Sequence, residues 1–93
     1  MIKTFRHRAT AAVFADERVR CLPLNIRQRA RCKLLQLDQI THAEELRVPP
    51  GNQLEPLTGD QSGAWSLRIN DQWRICFRFE DGHAQDVEIV DDH

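Results

Sequence analysis

Residues 65–93 read WSLRINDQWRICFRFEDGHAQDVEIVDDH. Apolar side chains alternate through Trp65, Leu67 and Ile69, then Trp73, Ile75, Phe77 and Phe79, then Val87 and Ile89. A period of two marks half-buried strands with one face on a core. Arg68, Arg74 and Arg78 fall on the opposite face. The stretch therefore predicts three antiparallel strands, apolar on one side and cationic on the other.

Register follows from side-chain parity, because a one-residue slip turns a strand inside out. Leu67 is predicted opposite Ile75 and Ile69 opposite Trp73, which leaves Asn70, Asp71 and Gln72 as a three-residue loop. Arg68 then faces Arg74. Like charges directly opposite destabilise a sheet, so either an anion lies between them or each turns to water or a nearby acid. In the second hairpin, Asp81-Gly82 signals a two-residue turn. That turn puts Val87 and Ile89 on the arginine face. A three-residue loop over Asp81, Gly82 and His83, or a bulge, restores parity and sets Arg78 opposite Asp86. Restored parity, by either route, is the preferred expectation.

Working outward, residues 2–5 are apolar enough for a first strand. Residues 8–19 contain Ala9, Ala11, Ala12, Val13 and Phe14 and predict a first helix of about three turns. Pro23 separates it from a second. Asn25 and Gln28 resemble a capping box, and Ile26, Ala30, Leu34 and Leu37 follow at helical spacing to about residue 39. Thr41 and Glu44 form another capping box, opening a short third helix that Pro49 and Pro50 stop. Residues 53–57 leave room for a short strand. The order predicts an α+β fold in one domain over residues 1–93, with two to three N-terminal helices packed on a twisted, mainly antiparallel sheet.

Ninety-three residues suit a single modest core. No apolar run approaches the length of a membrane span, and the opening MIKTFRHRAT lacks the apolar centre of a signal peptide. A cytoplasmic location is the default expectation. Cys21, Cys32 and Cys76 are odd in number and widely spaced, which favours buried or half-buried thiols over disulfides or zinc. The net charge of −1 hides an asymmetry: residues 1–33 sum to +7 and the remainder to −8. A basic N-terminal third suits RNA or an acidic protein. Arg27, Arg31 and Lys33 on the second helix are the candidate contacts there, against the alternative of a solvated helix face. His7, His42 and His83 read as surface residues.

Asp91, Asp92 and His93 close the sequence. The carboxylates favour the protonated imidazole, which suits it to act as a general acid. With a strand-face arginine for the phosphate, the parts match cleavage of RNA by its own 2′-hydroxyl. A solvated polar tail is the plain alternative. A metal site is not expected, because the three lack helical or hairpin ligand spacing.

The run PPGNQLEPLTGDQSGAWSLRINDQWRICFRFEDG, followed by VEIVDDH, resembles the HigB-type toxins of the RelE/ParE superfamily. The likeness covers nearly the whole chain, and its most specific parts are PPGN, INDQWR and VEIVD. It implies a small α+β toxin of a type II toxin-antitoxin system that enters the ribosomal A site and cuts mRNA without metal or organic cofactor. It also implies a HigA-like helix-turn-helix antitoxin, with operator DNA met only through that partner. On the matched motifs it implies Arg74, Asp91 and His93 as catalytic residues. Arg68 and Arg78 extend the cationic strand face for RNA, and with the second helix these arginines are expected to form one cationic surface. Glu55 stands where some members have a histidine, and Asp92 where the family has a tyrosine. The alternatives are a ParE-like inhibitor that binds DNA gyrase without chemistry, and a degenerate toxin kept as an antitoxin-binding or operon-regulating module.

Overall fold

The computed structural model describes residues 1–20, 22–57 and 63–91. Two helices, α1 (Arg8–Phe14) and α2 (Leu24–Gln39), precede two 3-10 turns at Ala43–Arg47 and Pro50–Asn52. Four strands follow: β1 (Glu55–Pro56), β2 (Ala64–Arg68), β3 (Trp73–Glu80) and β4 (His83–Asp91). They form one antiparallel sheet in the order β1-β2-β3-β4. No helix among the described residues is long and apolar enough to cross a membrane.

The β2–β3 register is the one parity demands, with Leu67 opposite Ile75 and Arg68 opposite Arg74. Asn70 fixes the loop. Its side-chain oxygen accepts from the backbone N–H of Gln72 at 2.9 Å and of Trp73 at 2.8 Å. Asn side chains favour such local turns.

The second hairpin takes the bulge and not the three-residue loop. Asp81 (φ 54) and Gly82 (φ 78) make a two-residue turn, and Glu80 pairs with His83. Positive φ at both central positions is what the local turn type requires. Parity is restored by a bulge instead. Cys76 pairs with Glu88 and Arg78 with Gln85, so Phe77 faces both Asp86 and Val87. Arg78 is thus opposite Gln85, not Asp86.

Residues 2–5 form no named strand, only parallel bridges from Ile2 to Ala84 and from Phe5 to Val87. Their main-chain bonds still cover the outer edge of β4 (Lys3 N–H to Ala84 O, 2.8 Å; Arg6 N–H to Val87 O, 3.0 Å). Covering an edge removes a site for unwanted strand pairing. Helix α1 is shorter than its alanine-rich sequence suggests. Asp16 at φ 63 ends it, and Glu17 N–H reaches back to Ala12 O at 2.8 Å. Buried Thr10 ties α1 to β4 by accepting from Ile89 N–H at 3.1 Å.

Helix α2 begins one residue earlier than its predicted cap. Pro23 at φ −58 is the N-cap and Asn25 lies inside the first turn. Its buried stripe is Ile26, Ala30, Leu34 and Leu37, as the spacing predicts. That stripe joins Leu67, Ile69, Ile75, Phe77 and Val87 in one core, with Trp65, Trp73, Phe79 and Ile89 packed against it. The third helix is a 3-10 turn. Its capping carboxylate is Glu45, which accepts from Thr41 and His42 N–H at 2.8 Å each, while Glu44 pairs with Arg47. Cys76 is half-buried, as expected, but Cys32 is exposed, and no disulfide joins them.

Candidate functional site on the helix-free sheet face

With the helices on the Leu67–Ile75 side, the other face of the sheet is left to the alternate residues. The register lines it with Ser66 and Arg68 from β2, Arg74, Cys76 and Arg78 from β3, and Glu88 and Val90 from β4. Glu55 of β1 pairs with Ser66 and joins the same face.

Arg74 is the centre of this face. It is only 9% exposed, yet its charge is compensated by oxygen on three sides. Its Nε donates to the Ser66 hydroxyl, and its Nη2 donates to Gln53 O at 2.8 Å and Ser66 O at 3.3 Å. Glu55 Oε2 stands 3.8 Å from Nη2. Among the described residues nothing engages Nη1, so two N–H donors of a fixed, buried guanidinium remain available. A planar fork held from one side presents its other side to a phosphate or developing oxyanion.

Arg68 and Arg74 do not clamp an anion between them. Arg68 turns to Asp71 in the hairpin loop, and Arg74 turns toward β1. Local acids and carbonyls relieve the like-charge pair.

Asp91 is set apart from Arg74. It pairs in register with Trp73, while Val90 is the partner of Arg74, so strand alternation assigns Asp91 to the other face. Its carboxylate accepts from Gln72 Nε2 at 3.3 Å at the end of the sheet. Asp92 and His93 lie outside the described residues.

The helix cations are also elsewhere. Arg27 and Arg31 line a groove of about 270 Å³ between α1 and α2, with Asp16 and Glu17 at its rim. Both Nε atoms are buried without a hydrogen-bond partner among the described residues, and Arg31 lies 3.9 Å from Asp16. Lys33 bonds the side chain of Asn52, and burial lowers its pKa, with Arg29 adding to the effect. The single cationic surface expected from α2 and the strands is therefore two separate regions on opposite sides of the sheet.

Sequence reasoning missed Ser66, Gln53 and Glu88. Ser66 was legible by parity, as the residue between Trp65 and Leu67. Glu88 was legible between Val87 and Ile89, and it gathers Arg6 at 3.5 Å and His7 at 3.0 Å. Gln53 contributes only its main-chain carbonyl, for which side-chain identity carries no signal.

Over residues 3–93 the chain matches the HigB-like toxins, described as the RelE-like toxin of the type II toxin-antitoxin system HigB. It is 41% identical over 69 residues to Toxin HigB-1 of Vibrio cholerae, covering 74% of this chain and 73% of that protein. It is 32% identical over 93 residues to Endoribonuclease HigB of Proteus vulgaris, covering all of both chains. Among solved structures, YafQ from E. coli superposes with a TM-score of 0.55 at 9% identity, over 99% of this chain and 94% of that one, a likeness of fold. By sequence, this chain belongs to the HigB-like family of RelE-like toxins of type II toxin-antitoxin systems.

Proposed function

We propose that this toxin is an endoribonuclease that cuts mRNA in the ribosomal A site and so stops translation. The observation that carries the reading is the buried Arg74 guanidinium, fixed by Gln53 and Ser66, with Nη1 unengaged and Glu55 beside it.

The chemistry needs no group beyond the chain and the RNA. Glu55 takes the proton of the 2′-hydroxyl as its oxygen bonds to phosphorus. Arg74 Nη1 stabilises the charge that builds on the phosphorane oxygens. The bond from phosphorus to the 5′-oxygen breaks, and a general acid protonates that oxygen. His93 is the acid in this reading, with Asp91 and Asp92 as the carboxylates nearest to it in sequence. The products are a 2′,3′-cyclic phosphate and a 5′-hydroxyl. Arg68 holds the flanking strand.

The partner is a HigA-like helix-turn-helix antitoxin, through which the pair meets operator DNA. The α1–α2 groove suits an acidic segment of that partner, because Arg27 and Arg31 bring buried N–H donors without acceptors. Unchanged antitoxin affinity in an Arg27→Ala/Arg31→Ala variant would place the contact elsewhere.

Primer extension on mRNA from a reconstituted translation system tests the reading. Wild type should leave discrete cuts within codons, and Arg74→Ala and Glu55→Ala should not. Arrest with intact mRNA, accompanied by loss of gyrase supercoiling, would replace it with the gyrase-binding alternative.

A further inference from the structure

The proposed chemistry leaves the other half of the helix-free face unused. A pocket of about 240 Å³ lies there, lined by Arg6, Ala64, Cys76, Arg78, Asp86 and Glu88 together with two apolar residues. Cys76 is two residues along β3 from Arg74, a step of about 7 Å. That is the reach from one nucleotide to the next.

The charges around this pocket are unevenly satisfied. Arg6 and His7 are drawn to Glu88. Arg78 and Asp86 have no hydrogen-bond or ion-pair partner for their side chains among the described residues, although Arg78 pairs in register with Gln85, the neighbour of Asp86. An available guanidinium and an available carboxylate therefore face one recess. The bulge makes this possible. It inserts Asp86 at φ 52, with its backbone N–H held by the Thr4 hydroxyl at 2.8 Å. Bulges re-aim side chains in this way and are frequent beside functional sites.

Base chemistry selects the occupant. Single-stranded RNA is read on the Watson–Crick and Hoogsteen edges of splayed bases. A carboxylate has two acceptors and no donor. Uracil offers it one imino group between two carbonyls. Adenine and cytosine offer an amino group beside a ring-nitrogen acceptor, which repels it. Guanine alone offers two adjacent donors, N1–H and N2–H, and its O6 and N7 accept a forked arginine.

We propose that this pocket is a guanine subsite, with Asp86 accepting from N1–H and N2–H and Arg78 donating to O6 and N7. It rests on the nuclease reading for its place beside the cut, and it adds a sequence preference to that reading. The bulk of the recognition lies in Asp86, because only the carboxylate separates guanine from adenine at the Watson–Crick edge.

The test has two arms. In the first, amide shifts of the labelled toxin are followed on titration with GMP and with AMP. GMP should move Arg78, Gln85, Asp86 and Glu88 at concentrations about tenfold below those AMP requires. Asp86→Asn should erase that difference, since Asn tolerates the left-handed backbone but presents one acceptor and one donor. Equal response to the two nucleotides, or selectivity that survives Asp86→Asn, overturns the subsite. In the second arm, cuts are mapped on mRNAs that differ at one codon nucleotide. Wild type should favour guanine at one position, and Asp86→Asn should lose the preference. Cutting indifferent to guanine overturns the subsite and leaves the nuclease standing. GMP selectivity without any cutting sustains the subsite and overturns the nuclease.

Discussion

The main-chain carbonyl of Gln53 accepts a 2.8 Å hydrogen bond from Arg74, across twenty-one residues of sequence. Gln53 sits at φ 43, just after the 3-10 turn Pro50–Asn52. The left-handed backbone turns its carbonyl toward the sheet. Together with the Ser66 hydroxyl, it compensates a guanidinium that burial would otherwise penalise. The arginine is held in place before any substrate arrives, which is the condition for electrostatic stabilisation without reorganisation.

Arg74→Lys separates charge from geometry. A lysine keeps the cation but cannot serve Ser66 and Gln53 while still presenting two parallel donors. Cutting should fall by at least about 100-fold, the scale for loss of a transition-state donor. A thermal melt within a few degrees of wild type would show the fold intact. Wild-type cutting by Arg74→Lys would mean that the positive charge alone is sufficient.

A different prediction concerns acid. Hydrogen bonds from the His42 and Thr41 backbone hold the Glu45 carboxyl below the usual carboxylate range. A folded pKa below the unfolded one adds stability that is complete above the unfolded value, about 4.3, and is lost as pH falls through the folded value. The Glu45 carboxylate caps the start of the 3-10 turn that carries fully buried Leu46 into the core. The stability gap between wild type and Glu45→Gln should be constant from pH 7 to pH 5 and should close on further acidification. A gap that widens in acid, measured by denaturant titration across that range, would reverse the assignment.

The parts of this fold that were legible in the sequence are those in which a short-range period decides everything. The pairing of Leu67 with Ile75 follows from alternation, and the buried stripe of α2 follows from helical spacing. The bulge at Asp86 was not decidable from parity, because a longer loop satisfies it equally; only the Asp81-Gly82 turn signal pointed to the two-residue turn that the bulge accompanies. The start of α2 was read from the capping-box pattern at Asn25, whereas Pro23, read as a break, is the N-cap. The site was less legible for a physical reason. Arg74 was found by its motif, but its state depends on a backbone carbonyl far away in sequence. Arg27, Arg31 and Lys33 were grouped with the strand arginines by charge alone, and charge carries no information about which side of a sheet a helix occupies.

Lys33 supplies the sharpest check on that grouping. Its ammonium bonds the side-chain oxygen of Asn52, whose amide donates to Leu46 O at 3.0 Å and Val48 O at 3.4 Å. Asn52 is fully buried and directly precedes Gln53. The connection from Lys33 therefore runs through Asn52 to the carbonyl that holds Arg74. Asn52→Ala removes the hub, leaves Leu46 O without its Asn52 donor while Val48 O keeps its 2.9 Å bond from Gln36 Nε2, and should cost about 1–3 kcal/mol. It should also slow cutting, because Gln53 loses its anchor. Lys33→Met keeps the apolar stem and removes the charge. If Lys33 gripped RNA phosphate, its loss would reduce the salt dependence of RNA binding by about one counterion. As a structural residue it should lower the melting temperature and leave that salt slope where it was. A slope reduced by one, with the melting temperature unmoved, would return Lys33 to the RNA surface.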